Sequence, residues 1–326
     1  MQEKIEEFVR AYTSYQTNNP LTGSPVSLFE PANYLLSLSG KKTRPILVLI
    51  GYDLFDENIV SALPLAHAVE IFHNFTLMHD DIMDDAPLRR GKQTVHLRNG
   101  TDTAILSGDM MLVRAYKLLH ELSAPMDQKN RIIRDFDQMA EDVCRGQQYD
   151  MEFARQKHVD EEAYLEMIKL KTSVLIGYSL KAGGVLAGSS KKDADLLYEY
   201  GLCVGMAFQL MDDYLDTFGN PATFGKQVGG DILENKKTLL FIHTMNALSG
   251  SEKSRANKWL KAESEQAKDK IFYFQNTFRS NKSDIHLLEL IDSYYHKSET
   301  ILESLQTKRS KSQLATLAEG LKTRTI

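Results

Sequence analysis

Nowhere in this 326-residue chain do apolar and polar residues alternate with period two for long enough to build a sheet. Apolar residues recur instead at three- and four-residue spacing, which places them on one face of a helix. In PLAHAVEIFHNFTLMHDDIMD the stripe is Leu65, Val69, Phe72 and Leu77. The same pattern runs through NGTDTAILSGDMMLVRAYKLLHEL, EEAYLEMIKLKTSVLIGYSLKAGGVLAG, DADLLYEYGLCVGMAFQLMDDYLDTFG and IHLLELIDSYYHKSETILESLQ. No proline follows Pro221 to break the later runs. No Pro/Gly/Ser-rich linker divides the chain. The expectation is one all-α domain, residues 1–326, a bundle of roughly a dozen helices. The polar stretch SGSEKSRANKWLKAESEQAKDK is expected to be a solvated helical surface.

Composition narrows the class. Asp and Glu number 44 against 39 Lys and Arg, a net charge of −5, which argues against a nucleic-acid binder with a basic face. Cys144 and Cys203 are too few and too far apart for a disulfide framework, so a reducing compartment fits. The start, MQEKIEEFVR, has no signal-peptide core, and ILVLIGYDLF is too short to span a bilayer. A cytoplasmic protein without a membrane anchor is expected.

One feature resists a purely structural reading. HDDIMDDAPLRRGKQTVH places Asp80, Asp81, Asp84 and Asp85 within six positions. Such carboxylates repel wherever water is scarce, and a stable cluster needs cations. A solvated acidic helix end would explain one such motif. A second, QLMDDYLDTFG, repeats the spacing with Asp212, Asp213 and Asp216. Two copies on two apolar helices suggest opposed carboxylate walls holding magnesium and a diphosphate, with an apolar pocket beneath. An EF-hand does not fit, because the loop glycine and bidentate glutamate are missing. Basic groups flank both motifs: Lys41, Lys42 and Arg44 in GKKTRP, Arg89 and Arg90, Lys171 in IKLKTSVL, and Lys226, Lys236 and Lys237 in GKQVGGDILENKKTLL. Singly each reads as a surface cation, but as a set they favour phosphate binding.

On these motifs the chain resembles the trans-isoprenyl diphosphate synthases of the polyprenyl synthetase family, from GKKTRP through GKQVGGDILENKKTLL. The resemblance implies the isoprenoid synthase fold, helices around a central cavity. It implies magnesium bound by Asp80 and Asp84 with Asp81 supporting, and by Asp212 with Asp213 and Asp216 nearby, three ions with substrate present. Arg89, Lys171, Lys226 and Lys236 would touch the allylic diphosphate, near Gln147 and Asp150. Isopentenyl diphosphate would be held by Lys41, Arg44, His73 and Arg90. Thr172 and Gln209 would border the reacting carbons. Ionisation of the allylic diphosphate, attack by the isopentenyl double bond and loss of a proton to the departing diphosphate would follow.

Product length follows from the same resemblance. Phe75 and Thr76 stand five and four positions before Asp80, and no insertion splits the motif. That pattern is similar to geranylgeranyl synthases, so a twenty-carbon product is expected, with farnesyl diphosphate as the alternative. Phe72, one turn deeper, reads as core, with a second floor of the pocket as the alternative. A class I terpene cyclase would carry one such motif and no isopentenyl site, and a non-catalytic partner subunit would often lose these acids and bases. A homodimer is implied by the resemblance. The GKKTRP start has one glycine and a lysine where the family more usually has two glycines and an arginine, and the end, LKTRTI, is not strongly basic.

Overall fold

The helical periodicity becomes helix throughout the computed structural model, which describes residues 2–220, 228–262 and 264–322. In order these are α1 (Gln2–Asn18), α2 (Val26–Ser37), α3 (Thr43–Asp53), α4 (Leu63–Met83), α5 (Val95–Asn99), α6 (Thr101–His120) and α7 (Met126–Arg155). There follow α8 (Glu161–Ile168), α9 (Val174–Leu186), α10 (Lys191–Phe218), α11 (Gly230–Leu233), α12 (Leu239–Ala247), α13 (Gly250–Trp259), α14 (Ala267–Ser280), α15 (Ser283–Ser304) and α16 (Ser312–Lys322). Among the described residues, none of these helices is long and apolar enough to cross a membrane.

The one β ladder among the described residues is the pair β1 (Leu88–Arg89) and β2 (Lys92–Gln93), antiparallel with Arg89 opposite Lys92. Its two-residue turn has positive φ at Arg90 (53°) and Gly91 (73°), the mirror-image turn that suits strand twist. Two-residue strands carry no periodicity, so no apolar pattern marks this hairpin.

The chain divides into two compact units. The first comprises Met1–Asp137, Tyr178–Tyr198 and Leu305–Leu314. Here α4 packs along α6 and α3, burying Leu65, Val69, Phe72 and Met78. Burying side chains of this size stabilises by about 1.5–3 kcal/mol each. Pro64 in the first turn of α4 suits a position that needs no amide donor.

The second unit comprises Gln138–Gly177, Glu199–Ser304 and Ala315–Ile326. Its core gathers Met167, Leu210, Leu239, Phe274, Phe278 and Leu287 from α8, α10, α12, α14 and α15. Asp160 caps α8 by accepting from the Ala163 amide at 2.8 Å. Between α8 and α9 the chain widens into a π turn over Lys169–Ser173. Gly146 of α7 and Gly205 of α10 press against this turn. A Cβ on Gly146 would collide with the Lys171 backbone nitrogen, and one on Gly205 would lie 2.8 Å from Ser173 Cα. In the polar stretch expected to be solvated, α13 is largely exposed, but Lys270 is buried and donates to Asn235 Oδ1 at 2.8 Å.

Candidate active site

In the first unit, Asp80 and Asp81 occupy the last turn of α4, and Asp84 is its C-cap residue. The negative end of the helix dipole therefore adds to the carboxylate repulsion. Arg89, carried by the hairpin, relieves part of it. Its Nε donates to Asp81 Oδ1 at 2.7 Å and its Nη2 to Asp80 Oδ2 at 3.3 Å. Asp81 is buried and its Oδ2 has no hydrogen-bond partner. Burial raises the Asp81 pKa while Arg89 opposes the rise. A buried carboxylate oxygen without a donor, next to a half-buried and an exposed aspartate, is a donor set that fits a hard cation such as magnesium.

The same unit gathers cations. Arg44, near the start of α3, donates from Nη1 to His73 Nε2 on α4 at 3.0 Å, so His73 accepts and carries its proton on Nδ1. Burial, followed by Arg44, Arg90 and other cations, holds the His73 pKa well below 6.5. Burial pushes Arg44 down to about 10, with Glu70 opposing and Arg90 assisting. Arg44 Nε is buried without a hydrogen-bond partner. Arg90 Nη1 donates to Leu38 O at 3.1 Å, and its guanidinium lies over Gly40, where a Cβ would sit 2.6 Å from Cζ. That contact explains the glycine of SGKKTRP. Lys42 is engaged differently: it donates to Leu36 O at 2.9 Å and to the buried Glu70 at 3.1 Å. It neutralises an acid inside α4. Lys41 is exposed beside it.

Phe75 is buried one turn before His79, with ring centroids 4.9 Å apart. Phe72 packs edge-on against Phe136 at 5.0 Å and belongs to the core, as the sequence indicated. Thr76 is half-buried and donates to its own helix at His73 O, 2.8 Å.

In the second unit, Asp212, Asp213 and Asp216 lie in the last two turns of α10, again at a helix C-terminal end. Asp213 is buried, and both its oxygens hold side-chain partners: Tyr164 donates to Oδ2, and Gln209 Nε2 to Oδ1 at 3.1 Å. Thr172 extends this chain, donating to Gln209 Oε1 at 3.1 Å. Burial and then Asp231 push the Asp213 carboxyl up to about 8, against the two donors. A nearby cation would favour the ionised form of this carboxyl and bring its pKa back down. Asp216 Oδ2 accepts from the Asp231 amide at 3.1 Å, joining α10 to α11.

Lys171, in the π turn, pairs with Asp150 of α7 at 2.6 Å. Gln147 lies one turn earlier on α7, half-buried. Lys236 bridges Asp231 and Glu234, each at 3.1 Å, and these acids raise its pKa against the effect of burial. Lys237 caps α7, donating to Phe153 O at 2.7 Å. Lys226 lies outside the described residues. Sequence reasoning did not single out Glu70, Tyr164 or Asp231. Glu70 alone offered a signal, an acid within the apolar stripe of α4.

Comparison with known proteins gives a consistent picture. The family model described as Polyprenyl synthetase matches residues 25–276. A geranylgeranyl pyrophosphate synthase of Geoglobus acetivorans is 34% identical over 319 residues, 98% of this chain and 94% of that protein. A short chain isoprenyl diphosphate synthase of Methanocaldococcus jannaschii is 37% identical over 255 residues, 78% of this chain and 74% of its own. A crystal structure of a geranylgeranyl pyrophosphate synthase superposes with a TM-score of 0.91 at 38% identity, covering 98% of both chains.

Proposed function

Because the chain belongs to the polyprenyl synthetase family, we propose that it condenses isopentenyl diphosphate with allylic diphosphates to make a short-chain all-trans prenyl diphosphate, geranylgeranyl diphosphate. The observation that carries this reading is the cationic group of Arg44, Arg90 and the neutral His73 in the first unit. It suits a second diphosphate, which a terpene cyclase acting on one substrate does not need. Lys41, Arg44, His73 and Arg90 hold isopentenyl diphosphate. His73 accepts from Arg44 and fixes the guanidinium, whose unsatisfied Nε is left for phosphate oxygen.

Asp80, Asp81, Asp84, Asp212, Asp213 and Asp216 hold magnesium, three ions with substrate bound. Magnesium, when bound, supplies charge neutralisation to the diphosphate and its departing oxygen. Arg89 exchanges its aspartates for allylic diphosphate, and Lys171 exchanges Asp150, so that each cation gains an anionic partner as the site loads. Lys226 and Lys236 add to that clamp, with Gln147 and Asp150 beside it. Thr172 and Gln209 offer their oxygen dipoles to the allylic cation, with Asp213 and Tyr164 fixing Gln209. The departing diphosphate accepts the proton, so no protein base is required.

Phe75 closes the floor of the hydrocarbon pocket and Thr76 leaves room above it. The whole chain acts as one catalytic domain, in the cytoplasm, as a homodimer; exposed Val26, Leu106 and Val113 in the first unit are apolar surface suited to a second copy. Diphosphate release from farnesyl diphosphate, with and without isopentenyl diphosphate, tests the proposal. Release that requires isopentenyl diphosphate supports it, and release of equal rate without it would indicate a cyclase.

A further inference from the structure

Three metal-ligating side chains converge in the second unit, outside the acidic motifs. Glu161 opens α8, His243 lies in α12, and His286 lies in the first turns of α15. One ligand atom from each falls within 4.8 Å of the other two. His286 Nε2 is 3.1 Å from Glu161 Oε2. In a tetrahedral zinc site with bonds of about 2.0–2.1 Å, neighbouring donors lie about 3.3 Å apart. One edge of the triangle is thus already at metal-site length. The other separations need only tighten from at most 4.8 Å to about 3.3 Å.

The surroundings suit a metal. His243 Nδ1 lies 2.9 Å from Ser283 Oγ, which in turn lies 2.7 Å from Thr244 Oγ1. An Nδ1–H donated to Ser283 leaves the Nε2 lone pair for a ligand, the outer-shell arrangement that orients metal-binding imidazoles. The two rings stack with centroids 4.5 Å apart and planes 25° from parallel, which disfavours two imidazolium charges. Burial, and then His286, lower the His243 pKa while Glu161 opposes them, a balance that favours the uncharged ring a metal binds. Two imidazoles and one carboxylate select a borderline transition metal over magnesium or calcium, which prefer oxygen alone.

We infer that Glu161, His243 and His286 form a zinc site that clips α8, α12 and α15 together, with water in the fourth position. It is independent of the prenyl-transfer chemistry.

The test uses the full chain without an affinity tag, stripped with chelator and then saturated with magnesium. Zn2+ alone is titrated by calorimetry. The expected result is one Zn2+ per chain that magnesium does not displace. His243→Gln and His286→Gln should each weaken binding on the order of 100-fold, and Ser283→Ala about tenfold. X-ray absorption on the unmodified zinc-loaded chain should find two imidazoles in the first shell, a readout that does not depend on any variant folding. No binding, binding abolished by magnesium, an all-oxygen shell, or folded His variants with unchanged affinity would each overturn the site.

Discussion

Arg44 Nη1 lies 3.0 Å from His73 Nε2, and burial among cations keeps His73 neutral and able to accept that bond. Arg44→Lys retains the charge but not the planar fork. If the pair holds isopentenyl diphosphate, KM for that substrate should rise about tenfold or more, the equivalent of ~1.5 kcal/mol for a lost charge-assisted bond. KM for the allylic substrate should change little. Steady-state kinetics with each substrate varied in turn checks this, and equal rises in both would contradict it.

Asp213 titrates near 8 in the folded chain against 3.8 as its ordinary value, because it is buried near Asp231. Between these values the folded state binds more protons than the unfolded one, so this group lowers stability as pH rises through the window. Asp213→Asn removes the effect. Without divalent metal, the variant should gain thermal stability over the parent as pH rises from about 4 to 8, by on the order of a few kcal/mol at the upper end. Thermal melts of both chains across that range measure the difference. A difference independent of pH would contradict the assignment.

Lys171 and Asp150 are 2.6 Å apart but part-exposed, at 28% and 38%. Such a pair contributes about 0–1 kcal/mol to folding. Lys171→Met should therefore leave the melting temperature nearly unchanged. Turnover should fall on the order of 100-fold if the ammonium stabilises charge on the departing diphosphate. A large loss of stability with turnover intact would make the lysine structural.

Phe75 touches His79 and Phe72 within the first unit. Phe75→Ala should lengthen the product, read by mass spectrometry of the dephosphorylated alcohols. It should also cost about 3–5 kcal/mol of stability. Phe75→Leu is the milder companion that keeps the chain folded. Unchanged product length in both would remove Phe75 from the floor.

The helical architecture was legible because a three- and four-residue apolar repeat is local information. The acidic motifs and the family were legible because Asp80–Asp84 and Asp212–Asp216 repeat one spacing in an otherwise apolar setting. What escaped the sequence depends on tertiary packing. Lys42 and Arg44 look alike in GKKTRP, yet one neutralises Glu70 and the other meets His73, because α4 presents different side chains to each. Tyr164 reaches Asp213 across 49 positions, and the Glu161, His243 and His286 group assembles from three helices distant in sequence. The hairpin that carries Arg89 and Arg90 depends on two positive φ angles that no periodicity encodes.

The most direct measurement is one incubation of the chain with farnesyl diphosphate, isopentenyl diphosphate and magnesium, with products identified by mass spectrometry. Geranylgeranyl diphosphate should accumulate as isopentenyl diphosphate is consumed, and chelator should stop the reaction. Farnesyl diphosphate left intact, or converted to hydrocarbon with isopentenyl diphosphate untouched, would contradict the account.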